Sequence, residues 1–303
     1  MTESKKEEFV AAETPTISIF QMIVMLNFAQ LLYASMDTMQ KDSFVFNGAT
    51  IVDYAIIRSL VMLPVSFIML KSNGLHLFRD VESWQWKYVI VRSLIGSCGL
   101  YLCNVAIMTI PLTAFNILLN LSPFFTLLLT YFYLNEKMTV FEMIAMVCSF
   151  GAVMLVALAS PENSLSVSEE SVFYGWTSQQ RYTLGISCSV VSAFLFAIYI
   201  TSARVLKELH YSVIFCWGMI FDSTVTLLLA ISQMILSTTK DENPWPFHFT
   251  SNWPWLELPA SAIMNVGASN LMTVSAQCKN PTLVQLLCYI KIVFSFLSDM
   301  IFF

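Results

Sequence analysis

Runs of about twenty apolar residues recur along this chain, the length an α-helix needs to cross a hydrocarbon core roughly 30 Å thick. A window of about 19 residues finds nine of them: 17–36, 51–70, 86–110, 111–134, 140–159, 182–203, 211–236, 254–276 and 281 to the end. Backbone amides in hydrocarbon must be satisfied within the spanning element, so the expected fold class is all-α, a polytopic membrane helix bundle. Composition agrees. Charged residues make up 12% of the chain and hydrophobic ones 57%, whereas a soluble domain carries roughly 25% charged residues. The net charge of −5 comes with no basic patch, which gives nucleic-acid binding no support. The expected partners are the lipid bilayer and a small-molecule substrate, with a homodimer left open.

The motif search mainly excludes. Of seven cysteines, nearly all lie in apolar runs and none form a CxxC pair, the pattern of small buried hydrophobes rather than of disulfides or zinc ligands. His76, His210 and His248 are scattered through polar loops, so no metal or other cofactor is expected. HExxH, GxSxG and P-loop signatures are absent from the sequence, which argues against an embedded enzyme. The amino terminus, MTESKKEEFVAAETPT, is polar and mixed in charge, unlike a signal peptide. It reads as a disordered tail over 1–16. Counting lysine and arginine in the loops places nine on the amino-terminal side and three, Lys41, Arg181 and Lys240, on the other. That bias expects a cytoplasmic amino terminus and leaves the choice of membrane open.

Hydropathy also suggests duplication. Ala106 and Pro111 match Ala276 and Pro281 at an offset of 170, and Ala34 and Lys41 match Ala197 and Arg204 at an offset of 163. The repeat unit is then five helices, complete over 17–159 and represented by four over 182–303, with a polar extracytoplasmic loop at 160–181 between them. An odd number of helices forces the second copy to enter the membrane from the opposite side, the inverted repeat of many secondary transporters. The pattern expects a tenth helix after Phe303, matching TVFEMIAMVCSFGAVMLVALAS. A truncated chain and a nine-helix variant both remain open.

The stretch NILLNLSPFFTLLLTYFYLNEKMTVFEMIAMVCSFGAVMLVAL resembles the fourth and fifth helices of EamA-type proteins of the drug/metabolite transporter superfamily. In that family a polar N-L-S-P helix runs into an acidic hairpin, the positions that Pro123 and Glu136 take here. SAFLFAIYITSARVLK likewise resembles the helix that opens the second repeat. The resemblance implies ten helices in two inverted bundles around a central cavity, working by alternating access. The expected function is therefore secondary transport of a small metabolite, anionic or nucleotide-sugar-like cargo included. A non-transporting membrane subunit, or a truncated remnant of such a transporter, is the alternative.

Charges inside the apolar runs mark the candidate site, because an intramembrane lysine costs at least about 2.5 kcal/mol on insertion scales. Lys291 lies ten residues past Pro281, about 15 Å deep at 1.5 Å per residue. Ser295 and Ser298 follow it on one face. It reads either as a cationic substrate contact or as half of a structural ion pair, with Asp222 the obvious partner. Related transporters of phosphorylated metabolites place basic residues in the corresponding helix, which favours the first reading. Asp222 and Arg58 fall at near-equivalent places in the two repeats and could form a gate, a substrate clamp or a packing salt bridge. Arg92 reads as shallower, an anchor that snorkels. Ser261, Asn265, Ser269, Thr273 and Gln277 recur at i+4, a stripe that lines a wet path or packs by hydrogen bonds. Asn116 and Asn120 form a shorter pair of the same kind. The small residues from Gly185 to Thr201 at the same spacing read as a packing seam.

Overall fold

The computed structural model describes residues 18–79, 81–134, 177–239, 247, 249–278 and 287–302, with isolated positions between 144 and 155. Nine helices account for most of them: α1 Ile19–Val45, α2 Ile51–Ser72, α3 Gln85–Thr109, α4 Leu112–Leu119, α5 Ser122–Leu134, α6 Ser178–Val205, α7 Tyr211–Thr239, α8 Pro254–Cys278 and α9 Ile290–Phe302. No strand occurs among the described residues. Most of the fifth apolar segment, 140–159, and the entry to the ninth at Pro281 lie outside the described residues.

Local sequence explains where the helices start. Ser18, Thr50 and Thr177 are each followed three residues later by Gln21, Asp53 and Gln180, and all three pairs close reciprocal capping boxes. Each box satisfies two backbone donors that the first turn would otherwise leave orphaned. Pro111 precedes α4 in extended conformation. The run expected as one helix over 111–134 is broken at Asn120, which ends α4 with near-bridge backbone angles (φ −73°, ψ 9°) before α5 begins. The first segment differs too. Read as ending at 36, it continues as helix to Val45, carrying Asp37 and Lys41 into the bundle with it.

Packing follows a two-fold pattern. The heaviest contacts join α3 to α6, α1 to α8 and α2 to α7; α5 packs on α6 outside the pattern, and among α1–α4 and α6–α9 the next pairs include α3 with α7, α1 with α9, α2 with α8 and α4 with α6. Exchanging α1–α4 for α6–α9 maps these pairs onto each other. Small residues set the closest approaches. A Cβ on Gly185 would meet Ile110 Cγ2 at 2.6 Å, and one on Gly267 would meet Leu32 Cδ1 at 3.2 Å. The seam expected on α6 is therefore a helix–helix contact, with Ser189, Ala193 and Ala197 fully buried. Large apolar side chains such as Phe20, Leu60, Ile68, Leu228 and Met300 point outward and are exposed. Among the described residues, five helical stretches are long and apolar enough to cross a membrane: Ile51–Ser72, Gln85–Thr109, Leu112–Leu129, Ser178–Val205 and Tyr211–Ile235.

Candidate functional site

The helices enclose a central cavity of about 180 Å³, bounded by residues from both halves of the chain. Its charged lining consists of Asp37, Arg58, Asp222 and Lys291, two acids and two bases. They are paired across helices. Lys291 Nζ lies 2.7 Å from Asp37 Oδ2, joining α9 to α1. Arg58 Nη2 donates to Asp222 Oδ2, joining α2 to α7. All four side chains are buried. In a low dielectric such pairs hold only where geometry and added hydrogen bonds offset desolvation, and both pairs have that support.

Around Lys291, the ammonium lies 5.5 Å from the Tyr33 ring centroid and 5.7 Å from that of Phe115. Asn116 Nδ2 donates to Ser295 Oγ at 2.8 Å and to the Leu112 carbonyl at 3.1 Å, and it reaches Asp37 Oδ2 at 3.5 Å. Ser295 donates in turn to the Lys291 carbonyl at 2.9 Å. Around Asp222, Thr226 Oγ1 donates to the Asp222 carbonyl at 2.9 Å. Its oxygen then accepts from Ser59 at 3.2 Å and from Tyr101 at 2.7 Å, which fixes α2, α3 and α7 around the pair.

Several sequence expectations need correction here. Asp222 is not the partner of Lys291; Arg58 takes it, and Lys291 pairs with Asp37. Helical extension of α1 past 36 accounts for this, because it swings Asp37 inward onto the face that meets α9. Lys41, counted as a loop lysine, is 1% exposed and lies 3.7 Å from Asp299. Asp299 also accepts from the Thr113 backbone N–H at 2.7 Å and from its hydroxyl. Arg92 is not a snorkelling anchor either. It is 1% exposed, and its guanidinium carbon sits 3.6 Å from the Tyr199 ring centroid.

Other candidates divide between lining and packing. Asn116, Asn120, Asn265 and Ser269 line the cavity, while Thr273 and Ser295 do not. Thr273 is buried and its hydroxyl turns back to the Ser269 carbonyl at 2.8 Å. The stripe on α8 thus lines a polar space in its middle and packs elsewhere; the side chain of Gln277 lies outside the described residues. Asn120 has a further role. The break after it releases its carbonyl from the helical ladder, and Tyr289 Oη donates to that carbonyl at 3.3 Å. Irregular backbone at membrane depth is tolerated where it lines a cavity and finds such partners. Among the described residues no group of three or more histidine, cysteine or acidic side chains is placed to hold a metal ion.

A helical bundle of this kind, with apolar helices outside and a buried polar cavity within, defines a polytopic helical membrane protein. The chain matches the EamA-like transporter family over residues 20–158. A protein of known crystal structure is similar to it over 92% of this chain and 87% of its own, with a TM-score of 0.63 at 16% identity, a likeness of fold. No curated protein matches the sequence.

Proposed function

We propose that this chain moves a small polar solute across the membrane by alternating access, with the central cavity as the transit site. The observation that carries the reading is the pairing of all four lining charges between helices that belong to different halves. Ion pairs of this type hold a closed state and exchange partners when the halves rock. A cavity of about 180 Å³ lies below the roughly 300 Å³ at which drug-sized ligand pockets begin, which favours a small solute over a nucleotide-sugar-sized one. Because Lys291 is already neutralised by Asp37, it gives no reason of its own to prefer an anion. With the amino terminus cytoplasmic, the α2–α3 and α6–α7 connections face the cytoplasm.

The test is flux. Proteoliposomes of the purified chain, loaded with candidate solutes, should show saturable counterflow. Asp222→Asn, which leaves Arg58 charged and unpaired, should cut that counterflow at least about tenfold, the factor for each 1.4 kcal/mol of lost coupling. Equal flux in protein-free liposomes for every solute tried would remove the reading.

A further inference from the structure

We propose that Arg92 is an anion-binding residue and Tyr199 its cover: a small soluble oxyanion, carboxylate or phosphate, reaches the guanidinium from the central cavity when the Tyr199 ring moves aside. The proposal rests on the transporter reading and deepens it by naming the class of its cargo.

Four basic side chains are buried among the described residues: Lys41, Arg58, Arg92 and Lys291. Three have a carboxylate, in Asp299, Asp222 and Asp37 respectively. Arg92 has none among the described residues. Its Nη1 donates to the Tyr199 carbonyl and, at 3.3 Å, to Ser202 Oγ. Its Nε and Nη2 are buried without a hydrogen-bond partner among the described residues. A guanidinium does not lose its proton in a protein, so the positive charge stays. Nε and Nη2 carry the adjacent, parallel N–H bonds that grip a carboxylate or phosphate side-on. The free edge of this arginine is therefore the edge built for an oxyanion.

Position ties the edge to the cavity. Tyr199 lines the cavity and carries the guanidinium on its ring face. A Cβ on Gly96, another lining residue, would meet the same ring at 3.0 Å. Arg92 thus sits one ring's thickness behind the wall. The lining charges themselves sum to zero, two acids against two bases, so a charged solute finds no surplus there. Arg92 supplies the missing positive charge at the end of the cavity nearest the start of α3.

A structural role makes a different demand. If Arg92 exists to tie α3 to α6, then Arg92→Met should cost stability. If it is held ready for a ligand, removing a buried charge without a carboxylate should leave the empty protein as stable or more so. The experiment is thermal unfolding of the full chain in neutral detergent with acetate, succinate, inorganic phosphate and glycerol 3-phosphate. Chloride at matched ionic strength, alanine and inositol serve as controls. At least one oxyanion should raise the wild-type midpoint where chloride does not, and Arg92→Met should abolish that shift without lowering the midpoint of the empty protein. Arg92→Lys keeps the charge but loses the fork, and should need about tenfold more anion for half the shift.

The proposal is overturned by a wild type that no oxyanion stabilises, by neutral solutes that stabilise equally well, or by an Arg92→Met protein that keeps the anion shift. Stabilisation only by added anionic lipid also overturns it. Counterflow in proteoliposomes separates the two readings. Anion binding at Arg92 without flux leaves this site standing and removes transport, while flux of neutral solutes alone does the reverse.

Discussion

At the scale of single residues, the ion pair between Lys291 and Asp37 makes each of them more damaging to remove than the pair together. Breaking a buried pair strands one charge and costs about 3–5 kcal/mol, whereas replacing both partners by apolar groups is often neutral. Lys291→Met should therefore be severely destabilising in a detergent melt. Asp37→Leu should restore most of the loss, and Asp222→Leu should add its own loss, because Asp222 answers to Arg58. A cycle in which Asp222, rather than Asp37, couples to Lys291 would refute the assignment. The sequence showed that Lys291 was an anomaly but named the wrong partner. A hydropathy window ends a helix at the first charge, and Asp37 follows directly on the apolar run that closes at 36. What the window cannot see is that Asp37 and Lys41 are neutralised from α9, by Lys291 and Asp299. A legible signal was there: Gln30, Ala34, Asp37 and Lys41 continue the helical spacing along one face, and all four are buried.

Among the elements, the α3–α6 contact tests how far small residues set the packing. Gly185 has no room, since a Cβ there would meet Ile110 Cγ2 at 2.6 Å and Thr109 Cβ at 3.3 Å. Gly185→Ala should force the helices apart at a cost of about 1–3 kcal/mol, read as a lowered unfolding midpoint. Gly218 lines the cavity with open space around it, so Gly218→Ala should cost nothing and raise the midpoint by the equivalent of up to about 1 kcal/mol, the helix-propensity gain of Ala over Gly. Equal losses in the two variants would contradict a seam set by close approach. The seam was readable because its i+4 spacing of Gly, Ser, Ala and Thr requires only local helical geometry. The break between α4 and α5 was not. NILLNLSPFF is apolar throughout its flanks, and at the break Asn120 Nδ2 donates to the Asn116 carbonyl at 2.7 Å while the Asn120 carbonyl accepts from Tyr289, in the turn that precedes α9.

For the whole molecule, buried polar groups gather at two opposite ends of the bundle. Arg92, Tyr199 and Ser202 meet between the first third of α3 and the last turns of α6, near the α2–α3 connection. Lys41, Asp299 and Thr113 join the end of α1, the end of α9 and the start of α4, next to the α1–α2 and α3–α4 connections. Alternating access requires one end to loosen while the other stays closed. Asp299 accepts two bonds from Thr113 and faces Lys41, so Asp299→Asn weakens three contacts at one end without touching the cavity lining. A loss of about 1.4 kcal/mol in the closed state raises the open population tenfold. Cys103 and Cys288 line the cavity and report its opening. With Cys98 and Cys148, both exposed, replaced by serine, a membrane-impermeant maleimide should label Asp299→Asn about tenfold faster than the parent. The added labelling should come only from the side of the α1–α2 connection. Faster labelling from both sides would mean that the substitution loosens the bundle as a whole. Unchanged labelling would mean that Lys41 and Asp299 do not form the closure at that end.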